Sequence, residues 1–193
     1  MTEVPLRERK KRRAREAIVD AAYALFAERG FADVTVTEIA ERAEVGRTTF
    51  FRYFGDKQEV LFAEEQSLLD GLRAASPPAP GPPSFREAIE EARLAVEVMC
   101  QAVTADRERY RLHEKLVAEN EELHDRGERK LLNLAEAMAD LLTARGMAPA
   151  EASLAAHVAL ACFRAGHAVA GADPVALGPA VDDAFAVLLR QVP

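Results

Sequence analysis

Apolar positions recur along this chain at intervals of three and four residues, and no useful run alternates at two. Ile18, Ala21, Ala22, Leu25 and Phe26 form one such stripe, with Arg15, Glu16, Asp20 and Glu28 lying off it. That pattern predicts a helix with one buried face. Gly30 follows where a left-handed cap would end the helix. Thr35 or Thr37 is placed to cap a second helix, whose apolar positions Ile39, Ala40 and Ala43 span barely two turns. A third short helix is expected over Arg47–Phe54, rich in aromatics and broken by Gly55-Asp56. Asp56 would cap a longer helix from Lys57 to about Ala75, with Val60, Leu61, Leu68, Leu69 and Leu72 at helical spacing.

The texture then changes. Ser76–Ser84 reads SPPAPGPPS, five prolines in nine residues, which excludes helix and predicts an exposed loop. Beyond it, helical spacing returns over Phe85–Thr104, over Asp106–Ala144 with a break near Asn120, over Pro149–Ala170 and over Val175–Val192. Pro149 suits a first helical turn, and Gly146 and Gly171 suit the ends of the helices before them. The expectation is an all-α chain of about nine helices.

Composition agrees with this reading and narrows the function classes. The 193 residues include 38 alanines and no Trp, which favours helix over sheet. Hydrophobic residues make up 49% of the chain, so a core can form and a disordered polyampholyte is excluded. Unbroken apolar stretches are short, six residues each at Val158–Phe163 and Ala184–Leu189 and seven at Ala21–Ala27, far below the roughly 18 that a membrane span needs. No apolar segment follows the basic run Arg7–Arg15, so a secretory leader is not expected. Cys100 and Cys162 read as buried thiols in a reducing cytoplasm.

Charge is unevenly spread. Residues 1–57 hold 12 Lys and Arg against 10 Asp and Glu, net +2, while residues 58–193 hold 13 against 22, net −9. A basic head on an acidic body suggests a polyanion partner at one end. The second and third helices, very short and separated by a tight turn, fit a helix-turn-helix. In that motif the first helix crosses the phosphate backbone and the second lies in the major groove, presenting its N-terminal residues to base edges. Those residues here are Arg47, Thr48 and Thr49. Arginine can fork onto guanine, and threonine offers a hydroxyl together with a methyl for thymine.

The run Thr35-Val-Thr-Glu-Ile-Ala-Glu-Arg-Ala43, then Val45-Gly-Arg-Thr-Thr-Phe-Phe-Arg-Tyr-Phe54 and Lys57-Gln-Glu-Val-Leu61, resembles the N-terminal domain of the tetracycline-repressor (TetR) family. The preceding Leu25–Phe31 fits the same pattern, and the resemblance covers residues 14–62. It implies base or nearby phosphate contacts by Arg47, Thr48 and Thr49, and backbone contacts by Phe51 and Tyr53. It further implies a phosphate contact by Lys57, and Thr37 at the start of the helix that crosses the backbone. Arg12 and Arg13 would reach a minor groove from an N-terminal basic arm spanning residues 1–13, as arms do in other folds. Three positions depart from the family pattern: Glu44 replaces the usual turn glycine, Phe51 a common tyrosine, and Gly46 a common serine.

Other chemistry is poorly represented. His113, His124, His157 and His167 show no metal-ligand spacing, and no nucleophile has an evident base. Neither a metal, a cofactor nor an enzymatic activity is expected. Pro149–Ala170 is a smooth helix, with Ala155, Ala156, Ala159, Ala161, Ala165 and Gly166. The last helix carries Val181, Phe185, Leu188 and Val192 as a stripe. Two such helices from each of two chains would make a four-helix homodimer interface, an arrangement the resemblance also implies. Packing within one monomer is the alternative. Arg164 is expected to pair with an acid such as Glu97, to lie at an interface edge, or to bind an anionic effector group; His167 lies one turn on. Phe85, Met99, Cys100, Tyr110, Met138, Leu141 and Phe163 are the other candidates for lining an effector pocket.

The sequence therefore predicts a helix-turn-helix domain over 1–57 and a ligand-binding, dimerising domain over 58–193. The expected function is that of a cytoplasmic TetR-like regulator, most simply a repressor. It would bind a palindromic operator as a dimer and be released by a small molecule, with no membrane partner. The competing expectation is a helical protein–protein interaction module without DNA-dependent function.

Overall fold

The computed structural model describes residues 6–64, 68 and 81–191. Among them it contains nine α-helices and no strand. The chain divides into two compact units, Met1–Ala63 and Glu64–Pro193.

The head unit is built from α1 (Leu6–Arg29), α2 (Val36–Arg42), α3 (Arg47–Tyr53) and α4 (Lys57–Leu61). Local chemistry sets the boundaries. Gly30, at φ 80°, terminates α1 in a conformation that only glycine adopts freely. Thr35 caps α2 in a reciprocal box: its hydroxyl accepts from the Glu38 amide at 3.3 Å, and Glu38 accepts from the Thr35 amide at 2.8 Å. Asp56 caps α4 by accepting from the Glu59 amide at 2.8 Å. The helices close on Ile18, Ala22, Phe26, Ile39, Phe50 and Val60, each almost wholly buried. The helix expected over Lys57–Ala75 is shorter at its start, because α4 ends at Leu61 with Phe62 as its C-cap; Leu69 and Leu72 lie outside the described residues, as does most of the proline-rich loop.

Arg12 and Arg13 are on the first helix, not on an arm, because α1 begins at Leu6. Arg and Lys are good helix formers, and Arg12 is supported by Glu16 one turn on, at 3.6 Å.

The body unit contains α5 (Phe85–Thr104), α6 (Arg107–Glu119), α7 (Glu121–Ala144), α8 (Pro149–Ala170) and α9 (Leu177–Leu189). The expected break near Asn120 separates α6 from α7. Helix α8 is central, packing against α5, α7 and α9. By length and composition it is apolar enough to cross a membrane. Its alanines instead supply a smooth surface for neighbours: Ala152, Ala155, Ala156 and Ala159 are buried. At Gly166 the backbone of α9 comes so close that a Cβ would lie 2.5 Å from the Cα of Val181. Only a residue without a side chain permits that approach.

The last helix does not present the expected stripe outward. Val181 and Phe185 are buried in the monomer core with Ala88, Ile89, Leu142, Ala155 and Leu177, and Leu188 packs against that cluster. Burying the phenyl ring within one chain satisfies the largest apolar side chain of α9 without a partner. Val192 lies outside the described residues. The exposed residues of the two helices include Leu154, His157, Ala161, Ala165 and Val169 on α8, and Asp182, Asp183, Ala186 and Val187 on α9.

Candidate functional site

Helices α2 and α3 are joined by the turn Ala43–Gly46, whose geometry follows from its hydrogen bonds. The Val45 amide donates to the Ala40 carbonyl at 2.9 Å, and the Glu44 amide donates to the Glu41 carbonyl at 3.0 Å. This doubly bonded helix end requires a left-handed residue at its corner, and Glu44 occupies it at φ 52°. Left-handed backbone is costly for a residue with a Cβ, so the missing family glycine leaves a local strain. Glu44→Gly is expected to stabilise the head by about 0.5–1 kcal/mol. A thermal unfolding series on the full chain checks this; an unchanged or lowered midpoint would contradict it.

The turn sets the exposed start of α3. Arg47 and Thr48 are exposed and Thr49 half-buried, while Phe50 points into the core. The guanidinium of Arg47 lies 6.0 Å from the ring centroid of Phe51, itself 49% exposed. Unlike α2 and α4, α3 has no side-chain cap and no acid in its first turn, although exposed Glu44 stands in the turn before it. Tyr53 is half-buried beneath the guanidinium of Arg52, at 5.0 Å. Thr37, half-buried, lies in the first turn of α2. Arg12 and Arg13 are exposed on α1, next to exposed Lys10 and Lys11.

Ion pairs brace the frame behind this face. Arg42 donates to both Glu28 oxygens at 2.7 and 2.9 Å, tying α2 to α1. Arg29 donates to Glu38 at 2.7 Å. That guanidinium and the hydroxyl and amide of Thr35 hold the Glu38 carboxyl down at about 2.

Two basic residues have placements that sequence reasoning did not anticipate. Arg15 donates to the Ala63 carbonyl and lies 5.5 Å from the centroid of Phe54, joining α1 to the ends of α3 and of the head. Lys57 donates to the carbonyls of Phe31, Ala32 and Val34. A run of like charges in a sequence carries no mark of which member turns inward.

The model of bacterial regulatory proteins of the tetR family matches residues 18–63. The head is a TetR-family domain. TcmR, an HTH-type transcriptional regulator of Streptomyces glaucescens, is 40% identical over 70 residues, 36% of this chain and 31% of that protein. HbdR, an HTH-type transcriptional regulator of an Aromatoleum species, is 34% identical over 91 residues, 47% of this chain and 36% of its own length. The matched stretches thus span about a third of these curated relatives. The fold resembles that of SmeT, repressor of the Stenotrophomonas maltophilia efflux pump SmeDEF. There the TM-score is 0.56 and identity 22%, over 90% of this chain and 89% of that one.

Beyond the TetR-type head, the body holds a cavity of about 460 Å³ between α5, α7 and α8. Met99, Met138 and Phe163 line it, together with Leu134 and Leu160. Leu94 and Val98, both more than half exposed, and Leu68 complete its wall. Every described side chain on the wall is apolar. The other expected lining residues lie elsewhere. Cys100 and Tyr110 are buried in the main core, Phe85 packs on that core, and Leu141 is half-buried off the cavity wall. Arg164 pairs with Glu128 of α7 rather than with Glu97. His167 contacts Glu114 of α6 at 2.9 Å, and that hydrogen bond raises the imidazole above its ordinary value. Leu94 and Val98 were legible as apolar residues beside the core stripe of α5, one helical turn apart. Among the described residues no group of three or more His, Cys, Asp or Glu could hold a metal ion.

Proposed function

We propose that this chain is a TetR-type transcriptional regulator that binds DNA as a homodimer and responds to a small molecule held in the body. The observation that carries the DNA reading is the start of α3: Arg47 and Thr48 are exposed on a helix whose opposite side, Phe50 and Phe54, is locked into the head. In this reading α3 enters the major groove and Phe51, Tyr53, Thr37 and the basic start of α1 lie along the phosphates. Two heads would meet half-sites about 34–36 Å apart. A cytoplasmic location and a repressor role belong to the same proposal.

The two-fold partner would pack on the outward sides of α8 and α9. Small residues there, Ala161 and Ala165 beside Leu154 and Val187, permit close helix approach.

The cavity supports an uncharged, largely apolar effector. Its volume lies in the range of small-molecule sites, and among the described lining residues no side chain can pair with a charge. Taking an ion out of water without a partner costs several kcal/mol. The experiment selects duplexes from a randomised pool with the full chain, then titrates the best with salt. Affinity should fall steeply as salt rises. A long-chain alcohol should release the duplex, and the carboxylate of the same chain length should not. An affinity indifferent to salt would remove the DNA reading; release by the carboxylate alone would remove the effector class.

A further inference from the structure

We propose that Lys57 is a positioning residue: it ties the first turn of α4 to the turn in front of α2, and so sets where α2 and the following α3 meet DNA. The inference rests on the DNA-binding reading above, but it gives Lys57 a different task from the phosphate contact expected of it.

The geometry is a strut. A lysine ammonium carries three protons and accepts nothing. Here Lys57 Nζ donates to the carbonyl of Phe31 at 2.7 Å, of Ala32 at 3.1 Å and of Val34 at 2.9 Å. It also lies 4.4 Å from the ring centroid of Phe31, on a face that attracts cations. Phe31 is fixed in turn by Phe26, their rings 5.2 Å apart. The three carbonyls belong to the turn that follows Gly30, and charge-assisted bonds to them stabilise that turn more than neutral bonds would.

Both ends of the strut are anchored. Val34 is followed by Thr35, whose capping box with Glu38 starts α2. Lys57 follows Asp56, whose carboxylate caps α4. A continuous path of hydrogen bonds thus runs from the first turn of α4 to the first turn of α2. A shift of α4 along its axis would be passed to the helix that crosses the backbone. To bind a phosphate, the ammonium would have to give up carbonyls it already holds.

Two full-length variants test this: Lys57→Met, which keeps an apolar stem without donors, and Lys57→Arg, which keeps donors. The DNA probe is the tightest duplex the unaltered protein selects from a randomised pool. For Lys57→Met, duplex affinity is expected to fall about tenfold, a size typical of lost hydrogen bonds to a charged group, with the dependence on salt unchanged. Amide hydrogen exchange across Val36–Ile39 should quicken by about tenfold, while exchange across Ile18–Leu25 stays as it was. Lys57→Arg should restore most of both. A salt slope lower by about one per head, with exchange in α2 unaltered, would make Lys57 a phosphate ligand and overturn the proposal. Faster exchange in α1 and α2 together would also overturn it, since that marks general loss of stability. If the unaltered protein selected no duplex, the DNA reading would fail by itself, and exchange at Val36–Ile39 would still decide whether the strut exists.

Discussion

Phe185→Arg is expected to unfold the body and leave the head folded. Phe185 is wholly buried on α9 among Ala88, Ile89, Leu142, Ala155 and Val181. Among the described residues no buried side chain is polar or charged, so an arginine there meets no acid and no spare acceptor. Losing a buried phenyl ring costs about 3–5 kcal/mol, and an unpaired buried charge adds several more. Together these rival the about 5–15 kcal/mol that holds a domain folded. The head has its own core around Phe26, Ile39 and Phe50 and should keep its melting transition. Val187→Arg on the same helix is the contrast, because Val187 is 55% exposed. It should leave both units folded and, if the outward face joins two copies, yield monomers. Circular dichroism melts and sedimentation of both variants decide the matter. A folded, monomeric Phe185→Arg protein would show that this ring faces a second chain.

Arg47→Ala should cost about 1–3 kcal/mol per head on the selected duplex, and markedly less on unrelated DNA. Arg47 is exposed at the first position of α3, braced by the Phe51 ring, where a bidentate contact to a guanine edge is within the motif's geometry. Losing it removes sequence information along with affinity, so preference at one base pair per half-site should relax. Arg13→Ala gives the comparison, as an exposed cation on α1 away from that helix start. It should weaken all sequences alike and flatten the salt dependence. Binding measured on selected and scrambled duplexes separates the two. If Arg47→Ala weakened both duplexes equally, Arg47 would be a backbone contact.

Helices, and the fit of α2 and α3 to a DNA-reading motif, were legible because local chemistry fixes them. Three- and four-residue apolar spacing, a threonine cap ahead of α2, Asp56 ahead of α4, Gly30 and Pro149 each act within one turn of chain and sit where their neighbours predict, the structure choosing Thr35 over Thr37 as that cap. The TetR pattern of residues 18–63 is likewise a matter of order and spacing. Direction was another matter. The periodicity of α9 marks Val181 and Phe185 as a buried stripe without saying whether one chain or two bury it. Gly166 decides this in favour of one chain, by bringing the backbone of α9 against α8. The choice of Glu128 over Glu97 by Arg164 and the turning of Lys57 onto three carbonyls depend on residues 23–36 positions away. An apolar side chain reads alike in sequence whether it fills a core or walls a cavity, and so Met99 and Cys100, adjacent in the chain, are separated only by the packing of α5 against its neighbours. Charge and hydrophobicity are properties of residues, but partner and direction are properties of the packed chain.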